Sequence, residues 1–292
     1  MVSTRTGRRM TLWSRRGCSY YWPPKPRVWR HCATECREQP QLKGLFALSK
    51  GSCSGTLKGP VLVELCKRFA DDVESLRRFD DAHLYHQITF AASLRHSRDE
   101  FLPHLAPDLD AVADVVLGRM STGWFAQPTP GTPQSRFSKT GEFGPIGSLA
   151  SHLGAEISEK PAGGAWTSSY LPSGESAWAR WEQAEFSHES RDPWSVHFDA
   201  SSCALYQIDS LDDFTRLVLR YPGDTQNGRV GIDWSTVAAD FHAVHLTAKG
   251  LLTVQNFPVS TPLGIAELRG WDAESTVWLR VPPGLRVTPA ND

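Results

Sequence analysis

Trp271-Asp272-Ala273-Glu274-Ser275-Thr276-Val277-Trp278-Leu279-Arg280, followed by Val281-Pro282-Pro283-Gly284, is the stretch on which the fold turns. Glu274 to Arg280 reads as a strand closed by a Pro-Pro-Gly break. Side chains alternate faces along a strand, so Asp272, Glu274 and Thr276 are expected on one face and Val277 and Leu279 on the other. Two carboxylates then share a face beside a tryptophan, a pair suited to stabilising a cationic transition state and handling an incoming nucleophile. The plainer alternative is an exposed strand edge whose acids are solvated.

Working outward, Gly164 to Tyr170, Trp194 to Asp199, Ala204 to Ile208 and His242 to Thr247 also read as extended. Between them, Ser176 to Glu185, Leu211 to Arg220, Ser235 to Phe241 and Pro262 to Arg269 read as helical. The mixture predicts an α+β domain over residues 136–292. Upstream, Leu62, Leu65, Phe69, Val73, Leu76 and Phe79 recur at intervals of three and four and place one helix over Pro60 to Asp80. A second helix is expected over His83 to Arg95, and a third after Pro107 with Asp108 as its cap, giving a small helical subdomain over 60–120. Pro128, Pro130, Gly131 and Pro133 break all periodicity, so 121–135 reads as a linker.

Residues 1–59 show no period and carry Arg8-Arg9, Arg15-Arg16 and Trp22-Pro23-Pro24-Lys25-Pro26. This basic segment is expected to be a disordered tail, or an extension ahead of the natural start, in preference to an arm that touches RNA or DNA, and it lacks the apolar run of a secretory signal. A formal net charge of -1 gives the whole chain no field that would draw it to nucleic acid or anionic lipid. No apolar run approaches the roughly 20 residues needed to span a bilayer, so the expectation is a soluble, cytoplasmic protein without a membrane partner.

Four of the six cysteines are Cys18, Cys32, Cys36 and Cys53, and only Cys203 falls in the α+β domain, which therefore does not depend on disulfides. His31, Cys32 and Cys36 have no second ligand pair at zinc spacing, and His242 and His245 fall on opposite faces of a strand, so no metal is expected. Cys203 reads as a small apolar filler rather than a nucleophile. Trp178, Trp181, Trp194, Trp234, Trp271 and Trp278 crowd the second half, either as core or as a stacking surface. In Lys160-Pro161-Ala162-Gly163-Gly164-Ala165-Trp166-Thr167-Ser168-Ser169-Tyr170, the adjacent glycines allow close backbone approach to a ligand, Gly164 foremost, and the hydroxyls beyond offer contacts to a ribose or phosphate.

The late acidic strand with Pro-Pro-Gly and Leu285-Arg286-Val287 resembles the final catalytic strand region of the ADP-ribosyltransferase superfamily. Thr167-Ser168-Ser169 is similar to that family's serine-rich strand, and Ser176 to Trp181 to the helix it packs behind its nicotinamide pocket. The same layout resembles a set of actinobacterial and phage proteins. The resemblance covers about half the chain, and the chain has Thr-Ser-Ser where the family has Ser-Thr-Ser, and Asp-x-Glu where its transferases have Glu-x-Glu or Gln-x-Glu.

The resemblance implies an NAD-dependent ADP-ribosyl transfer. Glu274 would stabilise the oxocarbenium-like charge as nicotinamide leaves, Ser168 would orient it, and Asp272 would position or deprotonate the acceptor. Arg136, with Arg95 as the alternative, would hold the NAD pyrophosphate or ribose through its guanidinium fork. Gly164, Thr167, Trp166 and Tyr170 would line the cofactor site, the two aromatic rings stacking on nicotinamide. The acceptor is open, with nucleic acid entering only in that role. Two other readings stand beside this one: a non-catalytic binding module that contacts protein or nucleic acid, and an NAD glycohydrolase in which water attacks.

Overall fold

The computed structural model describes residues 59–94, 109–127, 131–149 and 160–290. The basic segment to residue 58, Arg95, the Asp108 cap and Pro128 and Pro130 lie outside the described residues.

The run expected as one helix over Pro60 to Asp80 forms two: α1 (Pro60–Arg68) and α2 (Val73–Arg78). Proline at the first position opens α1, where its missing N–H goes unneeded. The break follows from Asp72, whose carboxylate accepts from the Ser75 amide at 3.2 Å and so starts a fresh helix. Asp80 starts α3 (Asp81–Ser93) in the same way, accepting from the His83 amide at 2.7 Å. Helix α4 (Asp110–Arg119) follows, and the segment expected as a linker contains a 3-10 helix at Gly123–Ala126 and then enters β1 (Gln134–Ser138).

The remaining elements alternate as expected for an α+β chain. They are β2 (Ala165–Thr167), α5 (Ala179–Phe186), β3 (Asp192–His197), β4 (Leu205–Ile208), α6 (Leu211–Arg220), β5 (Pro222–Gln226), β6 (Arg229–Ile232), α7 (Trp234–Asp240), β7 (Ala243–Leu246), α8 (Ala248–Thr253), β8 (Val259–Thr261), β9 (Gly264–Ala266), β10 (Ser275–Trp278) and β11 (Arg286–Pro289). Helix α6 lies where periodicity put it: Ser210 caps it, acids fill its first turn, Arg220 its last, and Phe214, Leu217 and Val218 face inward.

Further segments depart from the sequence reading, helix α8 (Ala248–Thr253) among them, where no element was expected. Pro262 to Arg269, expected as helical, is the turn and second strand of the β8–β9 hairpin, since Gly264 takes φ +137°, which no helix accommodates. The β5–β6 hairpin, which apolar periodicity did not reveal, turns on Asn227 and Gly228 at φ 51° and 74°, a left-handed pair suited to a two-residue hairpin loop.

Among the described residues the strands form three sheets, ordered β1-β3-β11, β2-β10-β7-β4 and β5-β6-β9-β8. In the second sheet β10 runs antiparallel to both β2 and β7, with Thr276 opposite Thr167 on one side and His245 on the other. Reciprocal hydrogen bonds between Ser135 and Ser168, at 2.7 and 2.9 Å, join β1 to the end of β2 and tie the first two sheets together. All of this lies within one compact unit, Ser54–Asp292, in which Leu62, Leu65, Leu84 and Ile88 of the helices share a continuous core with Leu251, Val244 and Val277.

Glycine sets the closest approach of helix to sheet. A Cβ on Gly250 in α8 would stand 2.2 Å from the Ile208 carbonyl oxygen, whereas one on Gly118 in α4 would meet nothing within 4 Å. Gly250→Ala is therefore expected to lower stability by about 1–3 kcal/mol through overpacking. Gly118→Ala should raise it by roughly 0.5–1 kcal/mol through helix propensity. Urea denaturation of both variants checks the contrast, and equal effects would contradict this packing.

Candidate active site around Glu274

The β2–β10 pairing decides where the acidic residues go. Glu274, one residue before β10, is 2% exposed. Its Oε2 accepts from the Ser169 amide at 2.9 Å and its Oε1 from the Ser169 hydroxyl at 2.7 Å. The Glu274 amide donates to the buried Tyr85 hydroxyl of α3 at 3.0 Å. His245 on β7 places Nε2 3.4 Å from Glu274 Oε1.

Burial pushes the Glu274 carboxyl up to about 7, against the lowering effect of the two Ser169 hydrogen bonds. Burial likewise pushes the His245 imidazole down to about 4, opposed by the Asp209 charge and the Ser275 backbone. Tyr85 is held well above its ordinary value by burial and by the Glu274 charge. A cluster of displaced titratable groups beside a cavity marks a functional-site candidate.

That cavity is small. Trp124, Phe125, Gln127, Ser169, His245, Thr247, Ala248 and Glu274 line about 20 Å³, room for about one water. Its roof is the 3-10 helix, which Asp81 clasps by accepting from the Trp124 amide at 2.8 Å while pairing with Arg119 at 2.8 Å. Trp124 Nε1 also donates to the Tyr170 carbonyl at 2.9 Å.

A chain of buried hydrogen bonds runs behind Glu274. Trp278 Nε1 donates to Thr167 Oγ1 at 2.8 Å, and Thr167 donates in turn to Gln134 Oε1. Gln134 Nε2 donates to Thr276 Oγ1 at 2.9 Å, and Thr276 Oγ1 lies 2.9 Å from His245 Nδ1. Side chains of β2, β10 and β7 of the second sheet are thereby linked to one another through Gln134 of β1.

The residues nominated from sequence divide between locations. Thr167 and Glu274 share the inner face. Ser168, expected to orient Glu274, points the other way and meets the Ser176 hydroxyl at 3.1 Å; its neighbour Ser169 holds the carboxylate instead. Asp272, expected on the face of Glu274, takes φ +62° ahead of the strand, which breaks the alternation, and its side chain meets Gln255 at 3.1 Å. It is not among the residues that line the Glu274 cavity. The close approach allowed by Gly164 is made by the protein itself, since a Cβ there would stand 2.4 Å from Val277.

Arg136 is half-buried, donates to the Trp166 carbonyl at 3.1 Å, and has its pKa lowered by burial and by Arg191. The Tyr170 hydroxyl meets Ser195 at 2.8 Å. Trp166 turns to the opposite face of the sheet, where it lines a recess of about 200 Å³ with Lys160, Trp178, Trp181, Phe186, Arg191 and Trp271. Trp234 and Trp278 are fully buried core.

Sequence reasoning missed Ser169, Tyr85, Gln134, Trp124 and the role of His245. The one local signal was a histidine inside the apolar run Ala243-Val244-His245-Leu246. Among the described residues no group of three or more His, Cys, Asp or Glu stands ready for a metal ion, and no helix is long and apolar enough to cross a membrane. Comparison with models of protein families, with curated proteins and with solved structures found no match.

The two displaced groups give opposite pH dependences. Glu274, raised from 4.5 to about 7, holds its proton more tightly when folded, so its contribution to stability is lost as pH rises from 4.5 to 7. His245, lowered from 6.5 to about 4, stays neutral when folded, so its contribution is lost as pH falls from 6.5 to 4. In the native chain the slopes oppose each other. Relative to it, Glu274→Gln should become more stable as pH rises between 4.5 and 7, and His245→Gln more stable as pH falls between 6.5 and 4. Urea midpoints across pH check both difference profiles, and flat ones would mean that neither group is displaced.

Proposed function

We propose that this α+β chain is an ADP-ribosyltransferase-like enzyme that cleaves NAD at the nicotinamide–ribose bond, with Glu274 as its working carboxylate. The observation that carries the reading is the grip of Ser169 on Glu274: a buried acid at the start of one strand is held through both oxygens by a serine on the neighbouring strand, beside a cavity. Fixed donors of this kind orient a carboxylate without reorganisation during the reaction. Its negative charge would stabilise the cationic ribosyl group as the electron pair of the breaking C–N bond leaves with nicotinamide. An acceptor nucleophile, or water, would then attack the same carbon and release a proton. In this reading Ser169 takes the role that the resemblance assigned to Ser168, Asp272 has no part in bond cleavage, and Arg136 contributes only through the cofactor. The setting is the cytoplasm, where NAD is the donor and a further molecule the acceptor.

The cavity at Glu274 accommodates a water and not a pyridinium ring, so the reading requires the Trp124–Gln127 roof to move aside when NAD enters. A lid over a reacting centre excludes competing water. The 200 Å³ tryptophan-lined recess on the opposite face favours a second reading, a module that binds a flat ring without catalysis.

Nicotinamide release from NAD by the purified chain decides between them. Release should rise with pH through about 7 as Glu274 ionises. Glu274→Gln should abolish it, Ser169→Ala should lower it by about 10²–10³ as for loss of an oriented donor, and Asp272→Asn should leave it within about threefold. Equal release by the native chain and Glu274→Gln sinks the enzymatic reading.

A further inference from the structure

We infer that His245 is a positioning residue for Glu274, locked as the Nε2–H tautomer by a one-way chain of hydrogen bonds that starts at the Trp278 indole. The inference rests on Glu274 being the working carboxylate for its consequence, but not for its geometry.

The direction of the chain follows from what each group is able to do. An indole N–H donates and never accepts, so Thr167 Oγ1 receives from Trp278 at 2.8 Å, and its own proton is left for Gln134 Oε1. That orients the Gln134 amide, whose two ends are otherwise interchangeable, and aims Nε2 at Thr276 Oγ1 at 2.9 Å. Thr276 Oγ1 then receives a proton from Gln134 and has one of its own to give. His245 Nδ1, 2.9 Å away, accepts it. A neutral imidazole that accepts at Nδ1 carries its proton on Nε2, the atom facing Glu274 Oε1 at 3.4 Å.

The surroundings keep the ring neutral in this form. His245 is 5% exposed. Around it stand Glu274 at the head of β10, Tyr85 of α3 behind the Glu274 amide, the Ser275 backbone, and Asp209 at the end of β4. Asp209 is itself engaged by the Thr247 hydroxyl at 2.7 Å and by Lys249 at 2.9 Å on α8, and its charge, with the Ser275 backbone, offsets only part of the effect of burial on the ring. With burial opposing protonation, His245 serves Glu274 as a neutral hydrogen-bond donor. The separation of 3.4 Å exceeds an ordinary hydrogen bond, and the role assigned to His245 requires it to shorten when Glu274 becomes a carboxylate. In the ionised state the imidazole would then supply Oε1 with a second donor beside the Ser169 hydroxyl, favouring the charged acid on which bond cleavage depends.

Nitrogen-15 NMR of the full chain tests the tautomer without any substrate. At pH 8 the native chain should show His245 protonated on Nε2 alone, and Thr276→Val, which keeps the shape but removes the hydroxyl, should produce a mixture of tautomers while Thr276→Ser does not. Carbon-13 NMR of the Glu274 carboxyl should show its midpoint rise by about one unit in His245→Leu and by less in His245→Gln, which retains a donor. If the chain releases nicotinamide, the rising limb of its pH–rate profile should move up by the same amount in His245→Leu. An Nδ1–H or cationic imidazole in the native chain at pH 8 overturns the inference, as does an unchanged Glu274 midpoint in His245→Leu. If His245→Leu does not fold, the Thr276→Val spectrum decides. A correct tautomer with no nicotinamide release would retire the NAD reading and leave the arrangement of His245 intact.

Discussion

The grip of Ser169 on Glu274 depends on β2 and β10 lying side by side, and much of the inner architecture exists to make a buried carboxylate tolerable there. An acid removed from water must be neutralised or surrounded by donors. Both solutions operate here: the carboxyl is pushed up to about 7, and both its oxygens receive hydrogen bonds from Ser169. Tyr85 takes up the Glu274 amide, so α3 of the helical region completes the polar shell of a strand far along the chain. The helices therefore shield the site as well as packing on the sheet.

The hydrogen-bond chain from Trp278 to His245 crosses four strands without a break in direction. Each of its members is buried, so an error in orientation at one of them would leave an unpaired donor or acceptor in the core. This gives the face a single arrangement, and that arrangement presents an imidazole N–H to the carboxylate. The opposite face has a different character, with indole rings around an open recess and the cations Lys160 and Arg191 at its border. Alternation along β2 assigns Thr167 to one face and Trp166 to the other, so two residues adjacent in sequence serve separate environments.

Asp81 links the roof to the helices. Its carboxylate accepts from the Trp124 amide and pairs with Arg119, which also donates to the Phe79 carbonyl at 2.8 Å. Gly123 passes over Asp81 at φ +56°, and a Cβ there would stand 2.3 Å from the carboxylate. A short 3-10 turn is thus anchored through Trp124, its amide on the Asp81 carboxylate and its indole on the Tyr170 carbonyl. Part of the lining of the Glu274 cavity thus comes from a segment that reads, in sequence, as a linker.

By itself, the sequence determined the α+β mixture and the places of most helices, and it marked β2, β3, β4, β7 and β10 among the strands. Apolar spacing located those elements, charge graded from acidic to basic agrees with the bounds of α6, and the late acid and the early run of hydroxyls were visible as chemistry. Capping at Asp72 and left-handed glycine at Gly264 redirected two segments, because one side-chain acceptor or one φ value outweighs a weak periodicity. Only the tertiary structure decided which hydroxyl meets the acid, that Asp272 turns away, and that His245, Tyr85 and Trp124 join Glu274. Those pairings unite residues up to 189 positions apart. Strand register and burial set them, and a linear pattern carries neither the identity of a neighbouring strand nor the depth at which a charge is held.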